Sequence, residues 1–592
     1  MSDYIPPLKD INFVLEHIAG AHELAGLDRF SESFDASMVE PVLEEVGRFM
    51  AEVVAPTNVD GDTTMSKWVD GEVITPDSFK AAYKQYVATG FGSIPFDPTY
   101  GGGGFPWTVG VAIQELLTSS NMAFSLCPLL TQGAIDAIEH HADDKMKSAY
   151  LPKMLTGQWS GTMNLSEPQA GSDVGAVATK AEPVGDGSYK ITGQKIWITF
   201  GDHDMAENIV HLVLARTPGA PPGTKGITMF MVPKYLLDGQ GNPGEKNDVA
   251  CVSIEHKLGI HGSPTCVLSF GDNGGAIGWP IGDEFTGMRN MFTMMNNARL
   301  SVGLQGLALA ERAYQGSLAY AQERRQGTAV GAKRGVQSPI IEHADVRRLL
   351  MSQRSWIDAM RCLIYTNAAS IDRSKALSGE EGEQAREMAD LLIPLSKSLC
   401  TDLGNELTSL AMQVFGGMGY VEETGAAQHY RDIRIGAIYE GTNGIQAADL
   451  VGRKLPMRGG GVVMDHLAAL DLKAKELASQ EGMAVFAENL ETAVATARDA
   501  TSWLLEHGAT DVNAALAGSS PYLRMLGTVV CGGLMADLAM KADKSSDAEF
   551  AEAKKVSARF FGEQILPTAN GLLGAVTAGP DDLFALTPKQ LA

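Results

Sequence analysis

The sequence predicts a mainly α protein that carries a central β-domain and ends in an additional run of helices. Three observations carry that expectation: helical spacing of apolar residues before about residue 160, short β-like runs bounded by Gly, Pro and Asp from about 160 to 285, and renewed helical spacing after Gly287. At 592 residues the chain exceeds what a single hydrophobic core fills, so several packed domains are expected.

Residues 1–35, which contain DYIPPLKDINFVLEHI, are expected to form an N-terminal extension. Residues 36–159 form a helical domain. Met38, Val42 and Val46 recur with the spacing of one helix face, and PFDPTYGGGGFP interrupts the pattern with a substantial loop. Residues 160–285 form the middle β-domain, where YKITGQKIWIT, IVHLVLAR and ITMFMVPK are strand-length runs rich in β-branched and aromatic residues. Residues 286–456 return to helix: Leu300, Leu304, Leu307, Tyr314 and Leu318 fall on one face of a long helix, and others are expected at about 341–372, 383–415 and 443–455. KLPMRGGGVVMDH, around Pro456 to Gly461, has the composition of a linker. Residues 462–592 then form an additional helical domain, with Ala-rich amphipathic stretches such as DHLAALDLKAKELASQ. No internal repeat or sustained heptad points to a solenoid or coiled coil.

Hydrophobic residues at 45% and charged residues at 20% are ordinary globular proportions, which argue against a disordered or fibrous chain. The net charge of -24 disfavours a broad nucleic-acid surface, because such a surface needs clustered cations. Cys127, Cys251, Cys266, Cys362, Cys400 and Cys531 are scattered and form no C-x-x-C pair, so reduced structural thiols are expected, with neither a metal site nor a disulfide framework. The N-terminus has no basic stretch followed by an apolar run, and no uninterrupted apolar segment is long enough to span a bilayer. The expectation is a cytoplasmic protein without a membrane span.

Two stretches carry the chemistry. In MNLSEPQAGSDVGAVATKA the glycines permit close backbone approach and Ser166 and Ser172 offer hydroxyls; in the following ITGQKIWITFGD, Trp197 and Thr199 set an aromatic face and a hydrogen-bonding group near one strand end. Read alone, these are equally well turns and a packed tryptophan. In QVFGGMGYVEETGAAQHYRDIRIGAIYEGTNGIQ, Gly416, Gly417 and Gly419 let a ligand lie against the backbone, and Glu440 sits in a glycine-containing turn before a helix. A lone glutamate is more often a solvated surface charge.

Together, LSEPQAGSD, GQKIWIT, QVFGGMGY and YEGTNGIQ, in this order within residues 36 to 455, resemble the acyl-CoA dehydrogenase family, and the extra length resembles a long bacterial subgroup of it. The resemblance implies the fold of that family: a helical domain, a β-barrel-like middle domain and a four-helix domain, here with a C-terminal helical extension. It implies FAD-dependent α,β-dehydrogenation of an acyl-CoA thioester to the trans-2-enoyl-CoA, with Glu440 as the base that removes the α-proton. By position, Leu165, Ser166, Trp197 and Thr199 would line the isoalloxazine ring of non-covalent FAD, and Thr442 and Gly444 would add contacts just after the base. Arg324 would meet the pyrophosphate of a neighbouring subunit's FAD, with Gln413 and Gly417 touching that same dinucleotide, so a homodimer or a dimer of dimers is implied. An arginine suits a pyrophosphate because its guanidinium is always charged and donates in a planar fork. Gly171, Ser172, Asn296 and Arg299 would lie near the acyl-CoA. The implied substrate is 3-methylmercaptopropionyl-CoA or a related short- or medium-chain acyl-CoA, with medium- or long-chain fatty acyl-CoA as the alternative. The implied electron acceptor is an electron-transferring flavoprotein; an acyl-CoA oxidase would use oxygen instead.

Some positions depart from the family pattern. His261 stands where an arginine is common, Gly444 replaces a larger polar residue, and Ala447 occupies a position often taken by arginine. The stretch between Arg324 and His343 is longer than in short-chain members. Met288, Met291, Met294 and Met295 would suit a thioether substrate, although packing in the helix core is the favoured reading of each. DNA-binding flavoproteins of the alkylation-response type share this fold, but that role calls for a basic C-terminal surface and this tail is rich in Asp and Glu.

Overall fold

The computed structural model describes residues 4–592. The chain divides into two compact units. One comprises Glu45–Phe105 and Leu116–Ser301; the other comprises the residues up to Glu44, then Pro106–Glu115 and Val302–Ala592.

The first unit is built around an eight-stranded sheet. Its strands run in the order Val249–Ile254, Thr265–Phe270, Tyr189–Thr199, Ala276–Pro280, Thr228–Pro233, Asn208–Ala215 and Trp159–Asn164, with Lys180–Pro183 added on Tyr189–Thr199. All pairings are antiparallel except that of Trp159–Asn164 with Asn208–Ala215. Asn208–Ala215 and Thr228–Pro233 are buried along their whole length, which is why they read as continuous apolar runs, whereas Tyr189–Thr199 alternates between the interior and solvent. Besides Lys180–Pro183, that eleven-residue strand serves two partners. Residues 193–199 pair with Thr265–Phe270 and residues 189–191 with Ala276–Pro280, with Ile191, Ile198, Phe230, Cys266 and Phe270 packed beneath. The helix Met122–His141 packs on Trp159–Asn164 and is started by Asn121, whose side chain accepts from the Phe124 N–H at 3.0 Å.

The second unit is helical. The helix Gly287–Glu323 contributes its residues from Val302 onward and runs with Ala344–Ala376 and Gly379–Phe415. Leu300, Leu304 and Leu307 are buried, as their spacing requires. At Gly306 the helices touch through their backbones, since a Cβ there would lie 2.0 Å from the Cys400 carbonyl oxygen. The helix expected at 443–455 is Asn443–Asp449 continued by one wide turn, Leu450–Lys454.

Residues beyond 460 form the helices Gly461–Leu477, Ala484–Gly508, Val512–Lys541 and Ala548–Phe560, with shorter helical turns after them. Val512–Lys541 lies at their centre and also packs against Ala344–Ala376, Gly379–Phe415 and Asn443–Asp449. By length and composition alone it would suit a membrane span, although Arg524 and Asp537 interrupt its apolar run, as expected of a chain without such a segment. It is instead a core helix, 83% buried over its most apolar stretch.

Two expectations need correction. The segment around Pro456 to Gly461 is no linker: it is a tight turn, Met457–Gly460, in which Arg458 takes a left-handed conformation and pairs with Glu387 and Asp465, each at 3.0 Å. Glycine composition is common to tethers and tight turns, so it could not separate them. The early helix buries Val39, Leu43 and Val46, while Met38 is 43% exposed, because Met38 closes a preceding turn capped by Asp35.

The N-terminal residues are bound into the helical unit. Asp10, on the helix Leu8–Val14, accepts from Lys554 and from Arg354 (2.7 Å), and Lys554 also donates to Asp358 at 2.6 Å. A second buried set joins Arg361 to Glu115 (2.7 Å) and Glu311 (3.0 Å), with the Tyr365 hydroxyl donating to Glu115.

Candidate active site

In the sheet unit, four of the predicted residues meet at one strand end. The Ile196 N–H donates to the Ser166 carbonyl at 3.0 Å, which draws the LSEPQ turn against the strand bearing Trp197 and Thr199. Trp197 has a left-handed backbone (φ 62°) and an indole 58% exposed. A bulky residue in this region of backbone space costs roughly 1–2 kcal/mol, so its persistence requires support from neighbours.

Sequence reasoning missed that support. The fully buried Lys195 donates to the Leu165 carbonyl at 3.0 Å and to Glu167 at 2.8 Å. The Glu167 carboxylate also accepts from the Ala178 N–H, the Thr179 N–H and hydroxyl, and Gln169. Burial pushes the Glu167 carboxyl up, but Lys195 and these donors prevail and hold it down at about 2. Both residues lay inside the quoted motifs, and an acid and a lysine in two abutting segments was the available signal.

Gly171 and Ser172 are exposed on the turn that follows, Asn296 is half-buried, and Arg299 is buried with its guanidinium 5.8 Å from the Phe292 ring centre. Met291 and Met294 are fully buried, and Met294 packs at Gly133, consistent with core packing. His261 has a local role: it lies 2.8 Å from Asp62, whose hydrogen bond pushes the imidazole pKa up. Asp136, Glu139 and His140 could offer ligand atoms within 4.8 Å of one another, but Asp136 already accepts from Asn297 and lies 3.2 Å from His140 Nδ1.

In the helical unit, Glu440 has a left-handed backbone (φ 55°) immediately before Gly441 (φ 83°). Each residue around it has its own restraint. The Tyr439 hydroxyl donates to Gln305, the Glu440 carbonyl accepts from Gln446 at 3.4 Å, and Thr442 caps the following helix by accepting from the Ile445 N–H at 3.2 Å. The φ of Gly441 favours glycine, and a Cβ there would also lie 2.7 Å from the Gln446 amide nitrogen, so that side chain would have to move. Gly444 is exposed, while Ala447 is buried.

Arg324, Gln413 and Gly417 gather at a second place in this unit. The Tyr320 and Phe415 rings pack at a tilt of 33° with centres 4.7 Å apart, which sets the C-terminal ends of Gly287–Glu323 and Gly379–Phe415 side by side. Arg324 follows the first helix and Gln413 and Gly417 flank Phe415; all three are exposed, and beyond its own stretch of chain nothing among the described residues lies within 4 Å of where a Gly417 Cβ would be.

The helical unit thus sets an acid on a strained turn at a helix start, and the sheet unit an exposed indole beside a serine and a threonine at a strand end. Family models match in series along the chain: acyl-CoA dehydrogenase N-terminal domain at residues 39–158, middle domain at 162–273, C-terminal domain at 286–455, and the acetyl-CoA dehydrogenase C-terminal-like domain at 466–587. The chain is 44% identical to the 3-methylmercaptopropionyl-CoA dehydrogenase of Ruegeria pomeroyi, over 98% of its own length and 99% of that protein's. It is 36% identical to a butyryl-CoA dehydrogenase of Syntrophomonas wolfei, covering 97% of each. An acyl-CoA dehydrogenase from Bacillus anthracis, solved in complex with FAD, shares the fold with a TM-score of 0.73 at 20% identity, over 94% of this chain and 89% of that one. The chain belongs to the acyl-CoA dehydrogenase family and is an oxidoreductase that dehydrogenates acyl-CoA.

Proposed function

We propose that the substrate is a short acyl-CoA, with 3-methylmercaptopropionyl-CoA first, and that Glu440 is the base. The observation that carries the base assignment is the strained, individually restrained Glu440 turn, since such strain persists only where the surroundings over-determine it. Identity over nearly the whole chain to the Ruegeria pomeroyi enzyme supports the thioether substrate, and the Syntrophomonas wolfei relative supports a pocket for chains of similar length. Replacing one methylene by sulfur makes the methylmercaptopropionyl group close in size to a pentanoyl group.

The residues fit FAD. Trp197 offers an open aromatic face beside Leu165, Ser166 and Thr199, and Thr442 and Gly444 are assigned further contacts just after the base, while the exposed Arg324, Gln413 and Gly417 are assigned to the FAD of a neighbouring subunit. When bound, FAD supplies the hydride acceptor. Glu440 takes the α-proton onto its carboxylate, and its backbone N–H polarises the thioester oxygen, favouring the enolate-like charge that develops. Gly171, Ser172, Asn296 and Arg299 are assigned to the CoA portion. Binding of FAD is non-covalent in this reading, in a cytoplasmic homodimer or dimer of dimers whose electrons pass to an electron-transferring flavoprotein.

Anaerobic mixing of the holoenzyme with butyryl-, 3-methylmercaptopropionyl-, octanoyl- and palmitoyl-CoA, followed by loss of oxidised-flavin absorbance, tests the reading. The expected result is highest efficiency with 3-methylmercaptopropionyl-CoA, and a loss of about 10²-fold or more in Glu440→Gln with FAD retained. Fastest reduction by palmitoyl-CoA would overturn the substrate assignment, and near-unmodified rates in Glu440→Gln the base.

A further inference from the structure

We propose that Lys397, on the helix Gly379–Phe415, is a positioning residue that holds the Glu440 turn in its reactive conformation through Gly441 and Asn443; this rests on the reading of Glu440 as the base. Lys397 is fully buried. Its ammonium donates to the Gly441 carbonyl at 2.7 Å and to the Asn443 side-chain oxygen at 2.8 Å. Placing an ammonium in the interior is costly, and a leucine or methionine would fill a helix interface without that cost. What the lysine adds is a charged donor aimed at the residue after Glu440.

Asn443 completes the clamp. While its oxygen accepts from Lys397, the two hydrogens of its amide nitrogen are shared among Asp402 (2.7 Å), the Thr401 hydroxyl (3.0 Å) and the Ser398 carbonyl (3.2 Å). One side chain therefore ties the turn to two successive turns of the helix. Asparagine can accept and donate at once in this way, which a carboxylate cannot.

The clamp acts where a small error is amplified. Glu440 and Gly441 both have left-handed backbones, a conformation the glutamate would leave if released. A carboxylate carried about 4 Å from the rotation axis moves about 1 Å for a 15° change in φ, and misplacement of about 1 Å costs on the order of 10²-fold in rate. Lys397 thus acts on the base through the peptide that follows it.

The test is Lys397→Met in the full-length holoenzyme, with Asn443→Ala and Glu440→Gln in parallel and butyryl-CoA and 3-methylmercaptopropionyl-CoA as probes. FAD content, acyl-CoA dissociation constant, the rate of anaerobic flavin reduction at saturating substrate and its α-deuterium isotope effect are measured. Positioning predicts a loss of about 10-fold or more in the saturated rate, with an isotope effect at least as large as in the unmodified enzyme and both affinities within about 2-fold. A merely structural residue would weaken FAD or acyl-CoA binding and leave the saturated rate of the loaded enzyme unchanged; that result overturns the proposal. If Lys397→Met fails to fold, Asn443→Ala decides, with a loss of about 3-fold or more supporting the clamp and an unchanged rate overturning it. Unchanged rates in Lys397→Met beside an inactive Glu440→Gln would sink this inference alone. An active Glu440→Gln would sink the base assignment and this inference with it.

Discussion

Replacing Lys554 by methionine should destabilise the helical unit more than any surface substitution could, because it breaks the charge balance of a buried quartet. Asp10 and Asp358 face Arg354 and Lys554, and the side chains of Lys554 and Asp358 are each 1% exposed. Burial would raise the Asp358 carboxyl, but Arg354 and Lys554 hold it below the usual carboxylate range. Without Lys554 two carboxylates share one cation in the interior, and removing one partner of a buried ion pair costs about 3–5 kcal/mol. At about 2.1 cal/mol/K per residue, a chain of this length melts with an entropy of about 1.2 kcal/mol/K, so the midpoint should fall by about 2.5–4 °C for a cooperative transition, and by more if only the helical unit melts. Differential scanning calorimetry at neutral pH measures this directly. Lys554→Met/Asp358→Asn restores neutrality and should regain at least half of the loss, since the Asp10–Arg354 contact at 2.7 Å remains. A midpoint within about 1 °C of the unmodified protein, or a double variant less stable than the single one, would refute the charge-balance reasoning.

Two other outcomes are expected. His261 is raised by its hydrogen bond to Asp62, so its contribution is fully present below the ordinary histidine pKa near 6.5 and is lost as pH rises through the higher folded value; melting midpoints compared between pH 6 and 8.5 should converge for His261→Gln and the unmodified protein at the alkaline end, and a constant gap would contradict this. Ending the chain after Gly460 removes Val512–Lys541 and Lys554 and uncovers the apolar faces of Ala344–Ala376 and Gly379–Phe415, so the product should be insoluble or aggregated by size-exclusion chromatography; a soluble, active truncated enzyme would disprove it.

The architecture was legible because its periodicities are local. Residues 300–318 announce a helix by spacing alone, and the strands at 189–199, 208–215 and 228–233 by length and β-branched content. The early helix face was misplaced at Met38 because a capping turn offset the register. For the site, Glu440 and Trp197 were reachable only through motifs, since neither a glutamate nor a tryptophan reveals its backbone conformation in a sequence. Their supports were hidden more deeply. Lys195 lies 30 residues from the Leu165 carbonyl it holds and Lys397 lies 44 from Gly441, and a lysine at such a distance from its partner reads as solvated charge.

The quartet of Asp10, Arg354, Asp358 and Lys554 also has a meaning for the order of synthesis. Asp358 emerges from the ribosome 196 residues before Lys554, an interval of roughly 10–40 s at 5–20 residues per second. Throughout it, the helix Ala344–Ala376 has its N-terminal partner helix at hand but not its C-terminal one, and Asp10 and Asp358 face Arg354 alone. The sheet unit ends at Ser301 and has every strand available well before that. Nascent chains arrested near residue 450 should therefore carry a folded sheet unit beside a helical unit that still exposes the face awaiting Val512–Lys541, which makes this interval the one in which a holding chaperone has most to cover.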